Sequence, residues 1–243
     1  MNSTSASAFN ASGSVRIRAT NVGVTGGASI LGTASITPSA VLGIPQSVDP
    51  LAYLGQPAVP GSCDNINYNV SGSRTVTIHP GTYCGGINVS GSSTVTLTSE
   101  RYILKGGGVQ LSGSSSFSGT GVSFFNTSGG GYAYAGIHFS GSTTTNLTAP
   151  TSGAMSGILF FGDRAGPAGT SNSFSGSSGS KFEGTLYFPT EHLDYSGSTG
   201  LAAAYTIIVA RTLTFSGSTS LTLNNNHSGL SGGSPLKGAA LAE

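Results

Sequence analysis

Short runs in which apolar and polar residues alternate, separated by Ser/Gly-rich breaks, cover most of this chain. Val76/Ile78, Val95/Leu97 and Leu221/Leu223 repeat at a period of two and are β-branched or flanked by threonine. That pattern predicts strands with one buried side rather than amphipathic helices. One stretch shows the unit clearly: Ile87-Asn88-Val89, Thr94-Val95-Thr96-Leu97 and Tyr102-Ile103-Leu104 are three runs, with breaks at Ser90-Gly91-Ser92, Thr98-Ser99-Glu100 and Lys105-Gly106-Gly107-Gly108. Glycine at such breaks supplies positive φ without a steric cost.

The breaks recur. Ser-Gly-Ser is centred on Gly13, Gly72, Gly91, Gly113, Gly141, Gly176, Gly197 and Gly217, the closely spaced copies lie 19 to 22 residues apart, and the variant Leu31-Gly32-Thr33 lies 19 after Gly13. A period of that size is the mark of a solenoid. The expected fold is all-β: a single-stranded, right-handed parallel β-helix, roughly triangular, with about 20 residues per rung and about ten rungs, strands pairing about 4.8 Å apart. Its handedness follows the general rule for parallel crossovers. The 40 residues from Gly32 to Gly72 and the 35 from Gly141 to Gly176 are read as two rungs each, and the 28 from Gly113 to Gly141 as one rung with an insertion. Inward positions fall to Val109, Leu111, Phe117, Val122, Phe124 and Phe125 in one rung and to Ile207, Val209, Leu213, Phe215, Leu221 and Leu223 in the last. At about 1.5–3 kcal/mol per buried side chain no rung is stable alone, so stability accumulates along the stack.

The chain reads as one domain, 1–243, with two departures from the coil. Five of the ten prolines lie between Pro38 and Pro60, which predicts a surface excursion at about 34–64, since proline cannot donate into a ladder. A flexible tail is expected at about 226–243, where Lys237–Glu243 is the one candidate helix.

Charge narrows the partners. Only 7% of the residues are charged and the net charge is +1, so there is no basic patch for nucleic acid or an anionic membrane surface. No apolar run is long enough to span a membrane, and the opening MNSTSASAFN has neither the basic nor the apolar part of a secretion signal. A nearly neutral surface lacks the repulsion that keeps copies apart, which favours association with itself, with another protein or with a surface glycan. Cys63 and Cys84 are 21 residues apart, one rung, and equivalent positions on adjacent rungs fall within disulfide reach. A Cys63–Cys84 bond is expected, and with it an oxidising, extracellular or cell-surface location; two buried thiols are the alternative.

Candidate chemistry is sparse. Asp163 and Arg164 follow an apolar run and read either as half of a carboxylate site or as an ion pair holding a corner. Glu191, His192 and Asp194 contain acid, base and ligand types, yet no second cluster shares their rung, and a polar corner is the simpler reading. His79, His138 and His227 are isolated, so neither a metal nor any other cofactor is expected. Tyr132 and Tyr134 lie in the insertion and could stack on a sugar ring or a partner, or cover the core. Thr75/Thr77, Thr94/Thr96 and Thr143/Thr145 raise the alternative of an ice-binding face, against which stand Arg74, Ser116 and Lys181 near comparable positions.

Several stretches carry a resemblance: Val48-Asp49-Pro50-Leu51, Pro60-Gly61-Ser62-Cys63, Pro80-Gly81-Thr82-Tyr83-Cys84-Gly85-Gly86-Ile87, Gly157-Ile158-Leu159-Phe160-Phe161-Gly162-Asp163-Arg164 and Gly184-Thr185-Leu186-Tyr187-Phe188-Pro189. With the Leu241-Ala242-Glu243 ending, these make the chain from about residue 48 onward similar to the extracytoplasmic β-solenoid region of TadG-type tight-adherence (Tad/Flp) pilus assembly proteins. The resemblance implies a bacterial envelope or surface protein linked to adhesion, with pilus or envelope components as partners and no catalytic site. The functional expectation is therefore an extracellular structural or adhesive module, able to assemble end to end into filaments. Ice binding and a carbohydrate-active β-helix enzyme are the alternatives.

Overall fold

A computed structural model describes residues 3–19, 21–175, 180–196, 203–217 and 220–236. The strands of the described residues pair in parallel, with no helix among them, and wind into a β-solenoid of about 9 turns. Each turn has three sides, here called faces A, B and C, because every strand pairs with its counterpart one turn away. Face B is the simplest: Thr75–Ile78, Thr94–Leu97, Ser116–Thr120 and Thr144–Thr148 stack in strict register, followed by the start of Lys181–Tyr195. Face C contains Glu100–Lys105, Val122–Thr127 and Ile158–Gly162, and face A contains Val109–Leu111, His138–Phe139 and Ser171–Phe174. Gly81–Val89, Lys181–Tyr195 and Thr206–Phe215 are long because each bends from face C into face A.

The order of the turns differs from their order in the chain. Phe9–Ala11 pairs with Leu213–Phe215, and Ala28–Ile30 lies beyond it, so the two N-terminal turns sit on the turn built from 206–222. One end of the stack, the upper, is thus formed by Ala28–Ile30, Ser35–Thr37 and Val41–Leu42, and the lower by Asn65–Val70 and Thr75–Ile78. Gly32 and Gly72 lie at opposite ends, which corrects the reading of the 40 residues between them as two rungs. The second long gap is also corrected: His138 and Ser173, 35 residues apart, are partners on adjacent turns, so this is one turn with insertions at 149–157 and 163–170. Spacing measures the chain consumed per turn; it carries no information on which turn is the spatial neighbour.

The joint between 206–222 and the N-terminal turns is paired on faces A and B but open on face C. Gly184 N donates to Tyr205 O, and alternation then turns the backbone groups of Ile208 and Ala210 away from the strand below. Among the described residues no strand pairs with that edge. Ile207–Ala210 are half-buried there, while Leu186, Tyr187 and Phe188 one turn below are buried. Cavities of about 320 and 180 Å³ open along the gap, the first lined by Asp49, Pro189 and Val209, the second by Phe9, Ile17 and Phe215.

Coil structure continues through Ser35–Thr37 and Val41–Leu42, and the chain then runs as a strap, 45–62, from the upper end down the outside of face C. The middle turns of face C are consequently buried on both sides. Phe124, Leu186 and Phe188 fill the interior, while Ile103, Phe125, Phe161, Tyr187 and Val209 point outward into a second cluster closed by Leu51, Leu54 and Leu236. Phe125 and Val209 were expected inside; the strap gives them an apolar cover outside instead. Leu51 is fully buried. Of the C-terminal stretch, residues up to Leu236 pack on the solenoid; Lys237–Glu243 lies outside the described residues, as do Gly176 and Gly197 and the side chain of Leu221.

Candidate functional site

Where the strap crosses face C, Arg164 holds it. Its guanidinium donates to Asp49 Oδ2 (3.0 Å), the Tyr187 hydroxyl (2.8 Å) and the carbonyls of Leu54 (3.0 Å) and Leu51 (2.5 Å), and it lies over the rings of Phe161 and Tyr187. The planar fork matches this set of oxygens and rings, which a lysine could not do. Tyr187 also donates to Asp49 Oδ2 (2.6 Å), and burial together with that carboxylate raises its hydroxyl pKa. Lower down, Lys105 Nζ donates to the carbonyls of Pro60 and Gly61.

The Cys63–Cys84 disulfide is formed, with Cα atoms 5.7 Å apart. It does not join equivalent rung positions, because the register partner of Cys84 is Ile66. The chain turns into the first rung at Asp64, whose Oδ2 accepts the Thr82 amide, and the bond therefore fastens the foot of the strap to the second turn.

Asp163 and Arg164 act separately. Asp163 Oδ2 accepts the Thr127 hydroxyl (2.6 Å) and Oδ1 the Ala165 amide (2.8 Å), closing the turn that releases Arg164 toward the strap. Glu191 is 0% exposed. Its oxygens accept the Tyr134 hydroxyl (2.5 Å) and the Asn172 amide (2.7 Å); burial raises its pKa, and with the Glu191 charge burial also raises that of Tyr134. Tyr134 thereby pins the 128–137 insertion, helped by Asn126 donating to Ala135 O. Tyr132 is half-buried against Gly106. His192 and Asp194 belong to the outer ladder of face A, where His192 meets Thr212 (2.7 Å) and Asp194 lies between Ser173 and Thr214. Among the described residues there is no group of three metal-capable side chains, and no helix is long and apolar enough to cross a membrane.

Face B offers the broadest regular surface. Its outward columns read Thr75, Thr94, Ser116, Thr144 and Thr77, Thr96, Ser118, Asn146, one residue per turn. A third column continues through Thr98, Thr120 and Thr148, which extend the strict register by one position. Neighbours stand about 4.8 Å apart across turns and about 6.6 Å along the strand. Ser116 sits in line with Thr94 and continues the hydroxyl column. Thr143 and Thr145, expected on this surface, are buried, and Thr145 is the ladder partner of Phe117. The patch ends at the Lys181–Glu183 ion pair (3.1 Å). The sequence signalled the hydroxyls; their joining into columns depended on which threonine of each run faced out. Asp49 stands in one of the stretches that carry the family resemblance, with no role attached to it, and Gln56, which accepts the Arg164 amide, has no signal beyond a proline-rich setting.

Comparison with family models, with curated proteins and with solved structures finds no match to this chain.

Proposed function

We propose that this protein is an extracellular structural and adhesive module of a bacterial envelope, associated with pilus or envelope assembly, and that face B is its contact surface. The observation that carries the reading is the four-turn patch of hydroxyl and amide side chains, uncharged and in register, on a rod stiffened by a strap and a disulfide. Such a patch suits a neutral glycan or a neutral protein surface, because many weak hydrogen bonds form without desolvating a charge. The similarity of residues 48 onward to TadG-type proteins supports the envelope setting. A carbohydrate-active enzyme needs an accessible carboxylate pair, whereas Glu191 is enclosed and Asp163 caps a turn.

The test is retention of the purified chain on insoluble neutral polysaccharides and on piliated bacterial cells, compared with a Thr77→Arg/Thr96→Arg double variant. Both positions are exposed, so the fold tolerates the change, and burying the two cations against a neutral surface lowers retention by about tenfold or more. Equal retention of the two proteins overturns face B as the contact surface. The same in-register columns favour a second reading, ice binding. Thermal hysteresis and faceted ice crystals, both lost in the double variant, would establish it in place of adhesion; ordinary ice growth dismisses it.

A further inference from the structure

Beyond the lateral face, the geometry points to a second interaction surface: the upper end of one copy docks on the lower end of another, continuing the parallel ladders head to tail. Three independent features converge on a second copy of this chain as the occupant.

The first is hydrogen bonding. At each described corner the residue after the glycine donates to the glycine carbonyl one turn below: Ser92 to Gly72 (2.7 Å), Ser114 to Gly91 (2.8 Å), Ser142 to Gly113 (2.8 Å), Ser14 to Gly217 (2.9 Å) and Thr33 to Gly13 (2.9 Å). This series leaves the Gly32 carbonyl at the upper end and the Ser73 amide at the lower end without a partner among the described residues. They complement each other in one polarity only. The register fits as well, because each strand keeps a fixed offset from its corner glycine. Ala28–Ile30 then meets Tyr68–Val70, and Ser35–Thr37 meets Thr75–Thr77, setting Ile30 on Val70 and Ile36 on Val76.

The second feature is the surface itself. Ile30 is 45% exposed, Leu31 62%, Val41 62% and Leu42 53%, all on the upper end. No charged residue occurs in the turn from Gly27 to Ile44, so this edge lacks the charges that usually keep strand ends from pairing. Ile66, 60% exposed, marks the lower end.

The third is a precedent inside the molecule. The turn from 206–222 and the turn from 9–24 are not consecutive in the chain, yet they stack through Leu213 N to Ala8 O, Ser12 N to Phe215 O and Ser14 N to Gly217 O. That joint is paired on faces A and B and open on face C. On faces A and B the proposed junction repeats that joint; on face C, where the internal joint has no strand, Val41–Leu42 of one copy and Asn65–Ile66 of the other reach the same level, and one of these short end strands is displaced. A head-to-tail contact of this kind does not close on itself and builds a filament.

The experiment is light scattering and electron microscopy of the full chain across a concentration series, with two variants. Leu31→Lys/Val41→Lys charges the upper end at exposed positions, and Ser73→Pro removes the lower-end amide. Circular dichroism melting confirms that both remain folded. Wild-type rods lengthen in steps of about 43 Å, nine turns of about 4.8 Å. Each variant alone stays monomeric to about tenfold higher concentration, and an equimolar mixture stops at dimers, because only one pair of intact ends remains. A wild type that stays monomeric throughout overturns the proposal, as do filaments that both variants still form. The outcome is separable from that of face B: Thr96→Arg alone, one full turn in from the lower end, lowers retention on surfaces and leaves rod length unchanged, and the end variants keep their retention.

Discussion

At the scale of single residues, three charged side chains fasten outlying segments to the coil. Arg164 ties the strap to the coil, Lys105 holds its foot, and Glu191 anchors the insertion through Tyr134. None of these roles follows from residue type; Glu191 reads from the sequence as part of a polar corner, with acid–base chemistry as the alternative, and nothing there marks it as the buried partner of Tyr134. That burial has a pH consequence. A carboxyl whose folded pKa lies above its unfolded value of about 4.3 contributes stability that is full below that value and is lost as pH rises through the folded pKa. Melting temperatures of the wild type and of Glu191→Gln should therefore diverge from about pH 4 upward, the wild type losing ground as pH increases. Parallel curves from pH 3 to 8 would show that Glu191 titrates as a free side chain does.

At the scale of elements, corner and strand do different work. The Ser-Gly-Ser corners stack so closely that a Cβ on Gly91 would lie 2.4 Å from the Gly72 carbonyl, and the φ of Gly91 is +76°, which is why the repeat is visible in the sequence. Strands on face B alternate cleanly because one side meets solvent. Those on face C do not: Ile158-Leu159-Phe160-Phe161 is apolar throughout, the pattern of a strand buried on both sides. The pattern was legible, but nothing in it named the strap as the cover. The joint between the C-terminal and N-terminal turns lacks one of its three ladders and should be the place where the stack opens first. In hydrogen exchange, amides of Phe9–Ala11 and Arg16–Arg18 should lose protection about tenfold faster than those of Glu100–Lys105 and Val122–Thr127. Uniform protection along the stack would mean that faces A and B alone hold the joint as firmly as three ladders do.

At the scale of the whole molecule, the strap makes a circuit of the stack. It starts beside the upper end and is fastened at the lower, so turns at opposite ends are linked by 45–62 as well as by the coil. The disulfide closes a 21-residue separation at its foot, for which chain entropy gives about 3 kcal/mol. Cys84→Ser, or full reduction, should lower stability to guanidinium by about that amount while the parallel-β circular dichroism persists. An unchanged midpoint would place the strap's anchoring on Arg164 and Lys105 instead. Cooperative loss of the whole spectrum would make the bond a condition for folding.

The sequence by itself determined the repeating unit: strands of period two, glycine corners, about 20 residues per turn and cysteines within reach of one another. These are local consequences of backbone geometry, and each is written in a few neighbouring residues. Only the tertiary structure decided the order in which the turns stack, the covering of face C by the strap, and which threonines form columns on face B. Those outcomes depend on segments far apart in the chain finding complementary edges, and an edge made of backbone amides and carbonyls looks alike on every turn. The expectation that Cys63 and Cys84 occupy equivalent rung positions shows the boundary well. Their pairing was right, while the spacing of 21 placed them in a register that the turn at Asp64 replaces.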